Sequence, residues 1–254
     1  MTGHRQGGMN PALLGICLAV LLAGCAGTPP PPPSVDPETP VSRDADQTTA
    51  NPLAIYDPLE PFNQRVYRFN ALADRYVLLP ALDVYRTVAP PPARQGISNF
   101  FDNIGEIVTF ANTLLQGKGH DAAVTLGRFL VNSTLGIAGL MDPATDLGLA
   151  RRDEDFGQTL GVWGMGPGPY LVLPLLGPST LRDTGGLAAD FGIEFAVDPL
   201  LLSGNPGRRV AYWTAYALDT RERQDFRYYQ TGSPFEYTLV RLIYVNFRAL
   251  QIER

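Results

Sequence analysis

A mostly α-helical body is what the sequence predicts, and three observations carry that reading. After residue 57, apolar residues return at steps of three and four, the spacing of one helix face. Two of these runs open on Asp-Pro-Leu-Glu or Ser-Pro-Phe-Glu, where an acceptor side chain, a first-turn proline and a glutamate three residues on mark a helix start. Between Gly161 and Gly186 the periodicity fails, and seven glycines and four prolines take its place.

In chain order, Asp57 caps the first predicted helix, which carries Phe62, Val66, Phe69, Leu72, Tyr76 and Leu79 as one apolar stripe. A second helix lines up Ile97, Phe100, Phe101, Ile104, Ile107, Val108, Ala111, Leu114 and Leu115, with Gly117 as its stop. A third runs from about Asp121 through Phe129 and Leu130 to Leu135. Asp153-Glu154-Asp155 begins a helix at Phe156, where negative charge suits the helix dipole. The apolar run from Tyr170 to Leu176 is interrupted by Pro174 and bracketed by Pro169 and Pro178. It reads as an extended segment or short irregular hairpin packed among helices. Another helix spans about 207–229, and Ser233-Pro234-Phe235-Glu236 opens the last, with Leu239, Leu242, Ile243, Asn246, Phe247 and Leu250. These helices are rich in Tyr, Trp and Arg near their ends. A core with half-exposed tyrosines and a set of amphipathic helices lying in a lipid interface both fit that pattern.

The first 56 residues are of another kind. Residues 1–24 read as a signal peptide: His4 and Arg5, then an apolar stretch from Ala12 to Leu22, then small residues. That stretch is shorter than the about 20 apolar residues of a membrane span. Leu22-Ala23-Gly24-Cys25 resembles a bacterial lipobox, which makes Cys25 the acylated first residue of the mature chain. Residues 25–56 are then the anchor and a tether, because the proline run from Pro29 to Pro33 and the Ser, Asp and Thr after it favour extended chain and bury little. The body occupies 57–254, and none of it is apolar over 18 consecutive residues.

Composition narrows the chemistry. The 254 residues carry a net charge of −5, with a single lysine (Lys118) and scattered arginines, which argues against a nucleic-acid face. The only cysteines are Cys17 and Cys25 and the only histidines His4 and His120, so no Cys/His metal site or disulfide framework is expected in the body. His120 has no Gly-x-Ser-x-Gly elbow to serve and reads as a surface or capping residue. Gly164-x-Gly166-x-Gly168 runs into Pro169 instead of a helix, which argues against a phosphate loop. The chain is expected to be no enzyme and to need no cofactor or metal.

Several stretches together resemble the VacJ/MlaA family. They are Asp57-Pro58-Leu59-Glu60-Pro61-Phe62-Asn63, Tyr67-Arg68-Phe69-Asn70, Gly96-Ile97-Ser98-Asn99-Phe100, Arg128 to Gly136, Phe156 to Gly161, and Gly168-Pro169-Tyr170 through Gly186. The resemblance covers roughly residues 55–250, behind the lipobox. It implies a ring-like bundle of amphipathic helices in the inner leaflet of the Gram-negative outer membrane, anchored by its acyl chains. It implies the removal of phospholipids from the outer leaflet through an amphipathic channel, to a periplasmic carrier of the Mla pathway, which keeps the outer membrane's lipids asymmetric. A trimeric porin is a further partner in several members. On this resemblance Arg182, Asp183, Gly185 and Gly186 border the channel, Arg182 attracting phosphate; a tight turn with a structural Arg–Asp pair fits those residues equally. Asn63, Phe69 and Asn70 match the early motif, and either line the channel or pack. The alternative function is a lipoprotein that scaffolds envelope assembly.

Overall fold

The computed structural model describes residues 55–253 apart from 199 and 203; the signal peptide, Cys25 and nearly all of the tether lie outside the described residues. The body is mostly helical. Helix α1 (Glu60–Ala73) continues through a π-turn (Asp74–Leu78) into α2 (Leu79–Val88), followed by α3 (Pro91–Leu115) and α4 (Gly119–Thr134). Short helices α5 (Pro143–Asp146) and α6 (Phe156–Val162) lead to a hairpin of β1 (Tyr170–Leu173) and β2 (Gly177–Thr180). Then come α7 (Leu181–Val197), α8 (Pro206–Glu222) and α9 (Glu236–Ile252).

Several local signals act as the sequence predicts. Gly117 takes φ +74°, and the amides of Gly117 and Lys118 close on Leu114 and Thr113 in a Schellman stop. Asp155 caps α6 by accepting the Gln158 amide at 2.8 Å. The Gly/Pro-rich run is an antiparallel hairpin with Tyr170 opposite Thr180 and Leu173 opposite Gly177.

Others are redirected. Asp57 does not cap α1, whose first turn makes no side-chain cap; its carboxylate accepts from Asn63, Tyr237 and Arg241 instead. Glu236 likewise leaves its capping box and accepts from the Tyr67 hydroxyl and the Tyr229 amide, at 2.8 and 2.6 Å. In both places a long-range partner outcompetes the local cap, because a carboxylate buried among tyrosines needs donors from every side. The helix expected over 207–229 ends at Glu222: Arg221 donates to the Gln224 and Phe226 carbonyls and to Asp74, which folds the chain away from the helix axis.

The packing is inverted relative to a water-soluble bundle. Among the described residues, 22 polar or charged side chains are buried against 10 apolar ones, while 37 large apolar side chains are exposed. On α1 the buried residues are Asn63, Val66, Tyr67 and Asn70, and the stripe of Phe62, Phe69 and Leu72 faces outward. Helix α3 buries Ser98, Asn103, Glu106, Thr109, Asn112 and Thr113 beside only Phe101 and Ile104. Helix α9 buries Glu236 and Arg248 and turns Leu239, Ile243, Phe247 and Leu250 out. Among the described residues no helix is long and apolar enough to cross a membrane.

The apolar core that remains is small. Val66, Tyr67, Tyr170 and Val172 form it, with Tyr228, Tyr237, Tyr244 and Val245 packed around them. The packed body also takes in Ile55, which sits against this core, and Tyr56, whose carbonyl accepts the Tyr170 amide at 3.0 Å.

Candidate functional site: the hairpin and its polar supports

Among the described residues the hairpin is the one extended element, and an isolated two-stranded ribbon is marginal in water. Beyond the Tyr56 carbonyl that takes the Tyr170 amide, its free edge is held by side chains in place of a third strand. Asn63 donates to the Tyr170 carbonyl at 3.0 Å and accepts the Val172 amide at 2.9 Å. Two helical turns on, Asn70 donates to the Leu173 carbonyl at 2.9 Å and accepts the Leu175 amide at 2.7 Å. A carboxamide presents one donor and one acceptor side by side, as a peptide group does. Two of them, seven residues apart on α1, therefore substitute for a neighbouring strand.

The turn beyond β1 is strained and apolar. Leu175 adopts φ +64°, a conformation that costs a non-glycine residue about 1–2 kcal/mol, and Asn70 holds its amide there. Leu175 and Leu176 at the tip are exposed.

At the other end, β2 runs directly into α7. Thr180 caps that helix by accepting the Asp183 amide. Asp183 and Arg182 are both buried, and they pair at 2.9 Å. Asp183 also receives Tyr244 at 3.0 Å and Arg248 at 3.1 Å, and Arg248 spans to Asp155 at 2.6 Å. The cluster thus ties α6, α7 and α9 behind the hairpin. Burial pushes the Asp155 and Asp183 carboxyls up, but hydrogen bonds and charge from Arg248 outweigh it and hold both below the usual carboxylate range. Burial pushes the Tyr244 phenol up, reinforced by the Asp183 carboxylate. The two glycines here differ in role. A Cβ on Gly186 would lie 2.3 Å from the Gly157 nitrogen, so this glycine lets α6 and α7 touch. Nothing lies within 4 Å of a Cβ on Gly185, which is exposed.

Of the residues expected at a site, Asn63 and Asn70 meet at the hairpin's edge, and Arg182, Asp183 and Gly186 at its base. Phe69 points outward from α1 and is 51% exposed. Cys25 lies outside the described residues. Arg248 and Tyr244 complete the base and were not singled out by the sequence. The available signal was an arginine placed within the apolar periodicity of the last helix. A further buried arginine, Arg128 of α4, bonds Glu106 at 2.7 Å and Asp142 at 3.0 Å. His120, 83% exposed, meets only Asp121. Among the described residues no group of three or more His, Cys, Asp or Glu is placed to hold a metal. What the arrangement offers is a charge-balanced polar interior, a clamped apolar hairpin and extensive apolar surface, which are the materials of non-covalent recognition.

Fold and site together define a helical protein whose outer surface is made for apolar surroundings, since exposed apolar area on this scale marks an interaction surface. The MlaA lipoprotein family matches residues 55–251, and the chain belongs to that family. It is 40% identical over 172 residues to the intermembrane phospholipid transport system lipoprotein MlaA of Shigella flexneri, covering 65% of each chain. The protein of the same name from Escherichia coli (strain K12) is equally similar, and that of Haemophilus influenzae is 36% identical over 137 residues, 53% of this chain and 55% of the relative. The matches thus span somewhat under two thirds of these relatives' own length. A solved structure described as the structural basis for maintenance of bacterial outer membrane lipid asymmetry shares 33% identity and a TM-score of 0.61, over 77% of this chain and 98% of that one.

Proposed function

We propose that this protein is a lipoprotein of the Gram-negative outer membrane, anchored through acylated Cys25, that removes phospholipids from the outer leaflet and passes them to a soluble periplasmic carrier. The observation that carries this reading is the inversion of the helices, with 22 polar or charged side chains inside and 37 large apolar ones outside. Water would penalise that exterior, whereas acyl chains solvate it at no cost. The relatives' names, intermembrane phospholipid transport lipoproteins, support the same reading. Non-covalent transfer asks for no nucleophile or base, and the buried charges are consumed by partners inside the fold, mostly arginine with carboxylate, and in Glu236 by Tyr67, Tyr229 and Thr231. The hairpin would be the element at which lipid passes, with Leu175 and Leu176 meeting acyl chains and the Arg182–Asp183–Arg248 cluster fixing its base. Asn63 and Asn70 would act by positioning it, and Phe69 and Gly185 would face lipid. A trimeric porin as neighbour belongs to the same proposal.

The test is phospholipid exposure on intact cells lacking the gene, probed with a non-penetrating phospholipase. Raised exposure, corrected by the wild type but not by Cys25→Ala, is the expected result. Unchanged exposure with the carrier intact would overturn lipid removal in favour of an envelope-assembly scaffold.

A further inference from the structure

A groove of about 580 Å³ lies between the π-turn and start of α2 on one side and α8 on the other, within the range of small-molecule sites. Val77, Leu78 and Ala81 form one wall, and Val210, Trp213 and Leu218 the other, while Ala81 and Ala217 leave room between the helices. The indole of Trp213 is fixed by edge contacts with Phe191, Tyr212 and Tyr216. The far end is pinned by Glu222 of α8, which pairs with Arg86 of α2 at 2.7 Å. Arg209, also in the lining, is exposed, and its side chain makes no hydrogen bond or ion pair with any described residue. From Arg209 to Leu218 the groove follows about 13 Å of helix, at about 1.5 Å per residue.

This pattern describes its occupant. The trough is apolar along its length, with Thr214 the single uncharged polar residue lining it. An extended peptide would bring backbone N–H and C=O groups that such walls cannot satisfy. A hydrocarbon chain brings none, and the lone guanidinium calls for an anion at one end of that chain. We propose that the groove binds one acyl chain of a phospholipid, with the phosphate paired to Arg209. The proposal rests on the phospholipid reading above and adds a site that shares no residue with the hairpin.

The test uses the full acylated chain in detergent with Trp163→Phe, which leaves Trp213 as the only tryptophan. The probe is phosphatidylglycerol carrying a dibrominated acyl chain, added in small amounts. Trp213 fluorescence is expected to be quenched saturably, at about one lipid per protein. Ala217→Phe, which fills the trough, should abolish the saturable quenching. Arg209→Gln, at an exposed position, should raise the half-saturating lipid concentration about tenfold, the effect of one charge-assisted bond, and leave quenching by brominated diacylglycerol unchanged. Quenching that rises linearly without saturation, or that survives Ala217→Phe, would overturn the site. So would an equal effect of Arg209→Gln on both lipids, or bromine-insensitive fluorescence that varies with protein concentration, the sign of a second copy in the groove. Phospholipid carried by the chain from the membrane is measured in parallel. Carried lipid without saturable quenching removes the groove and leaves the transport reading standing; absence of carried lipid counts against both.

Discussion

Arg248 reaches the crossing of α6, α7 and α9 with one guanidinium for two carboxylates, Asp155 and Asp183. Arg248→Ala leaves the buried Asp183 with only Arg182 and Tyr244, while Asp155, 39% exposed, turns to water, so the variant should lower stability by about 3 kcal/mol, the low end for a broken buried pair, read as a fall in melting temperature. The same pairing fixes a pH dependence. Both carboxyls titrate below their unfolded values, so their stabilisation is complete above about pH 4 and is lost as pH falls through the depressed native values. Asp190, half-buried beside them and accepting from the Phe156 amide, is pushed up by desolvation and works in the opposite sense. Melting temperature should therefore drop below about pH 4 in the wild type, and this acid step should shrink in Arg248→Ala. Gly186→Ala should cost about 1–3 kcal/mol through overpacking, because its Cβ would meet Gly157 backbone, which cannot rotate away as a side chain would.

The hairpin is an element whose stability comes from outside itself. Each asparagine of α1 satisfies one stretch of its edge, which makes the two separable. Asn63→Ala should speed amide exchange at Val172, and Asn70→Ala at Leu175, while amides paired between β1 and β2 stay protected. Equal loss of protection along the whole hairpin in either variant would contradict independent clamps. The hairpin itself was legible, because Pro174 and the flanking glycines exclude a helix. The clamp was not. Asn63 and Asn70 stand seven residues apart beside the apolar stripe of α1, and nothing local distinguishes an asparagine facing a strand edge from one facing water. Arg182 and Asp183 were legible as a pair, but their third partner lies 65 residues on in α9, and no local spacing announces such a contact.

At the scale of the molecule the apolar exterior has a direct consequence. Chain carrying Cys25→Ala and lacking residues 1–24 should still float with phosphatidylethanolamine/phosphatidylglycerol vesicles, because the outward faces of α1 and α9 supply their own hydrophobic contact. Recovery in the aqueous fraction would mean that protein, not lipid, covers that surface. The exposed stripes also explain why helical periodicity held while its usual meaning did not. Amphipathic spacing states that a helix has two faces, and the core of a soluble protein is only one place to put the apolar face.

The sequence by itself determined most of the helices and the Gly/Pro-rich interruption between them, since propensity, capping and proline geometry act within a few residues; it did not mark α7 (Leu181–Val197), whose opening glycines hide a helix, nor the stop of α8 at Glu222. It also determined the family, through motifs that occur in order over most of the body. Tertiary structure alone decided which face of each helix is inside, which carboxylates abandon their caps, and which arginines close the buried clusters. Those choices turn on desolvation: a charge removed from water must find its counter-charge wherever in the chain it lies, and that distance is set by the fold.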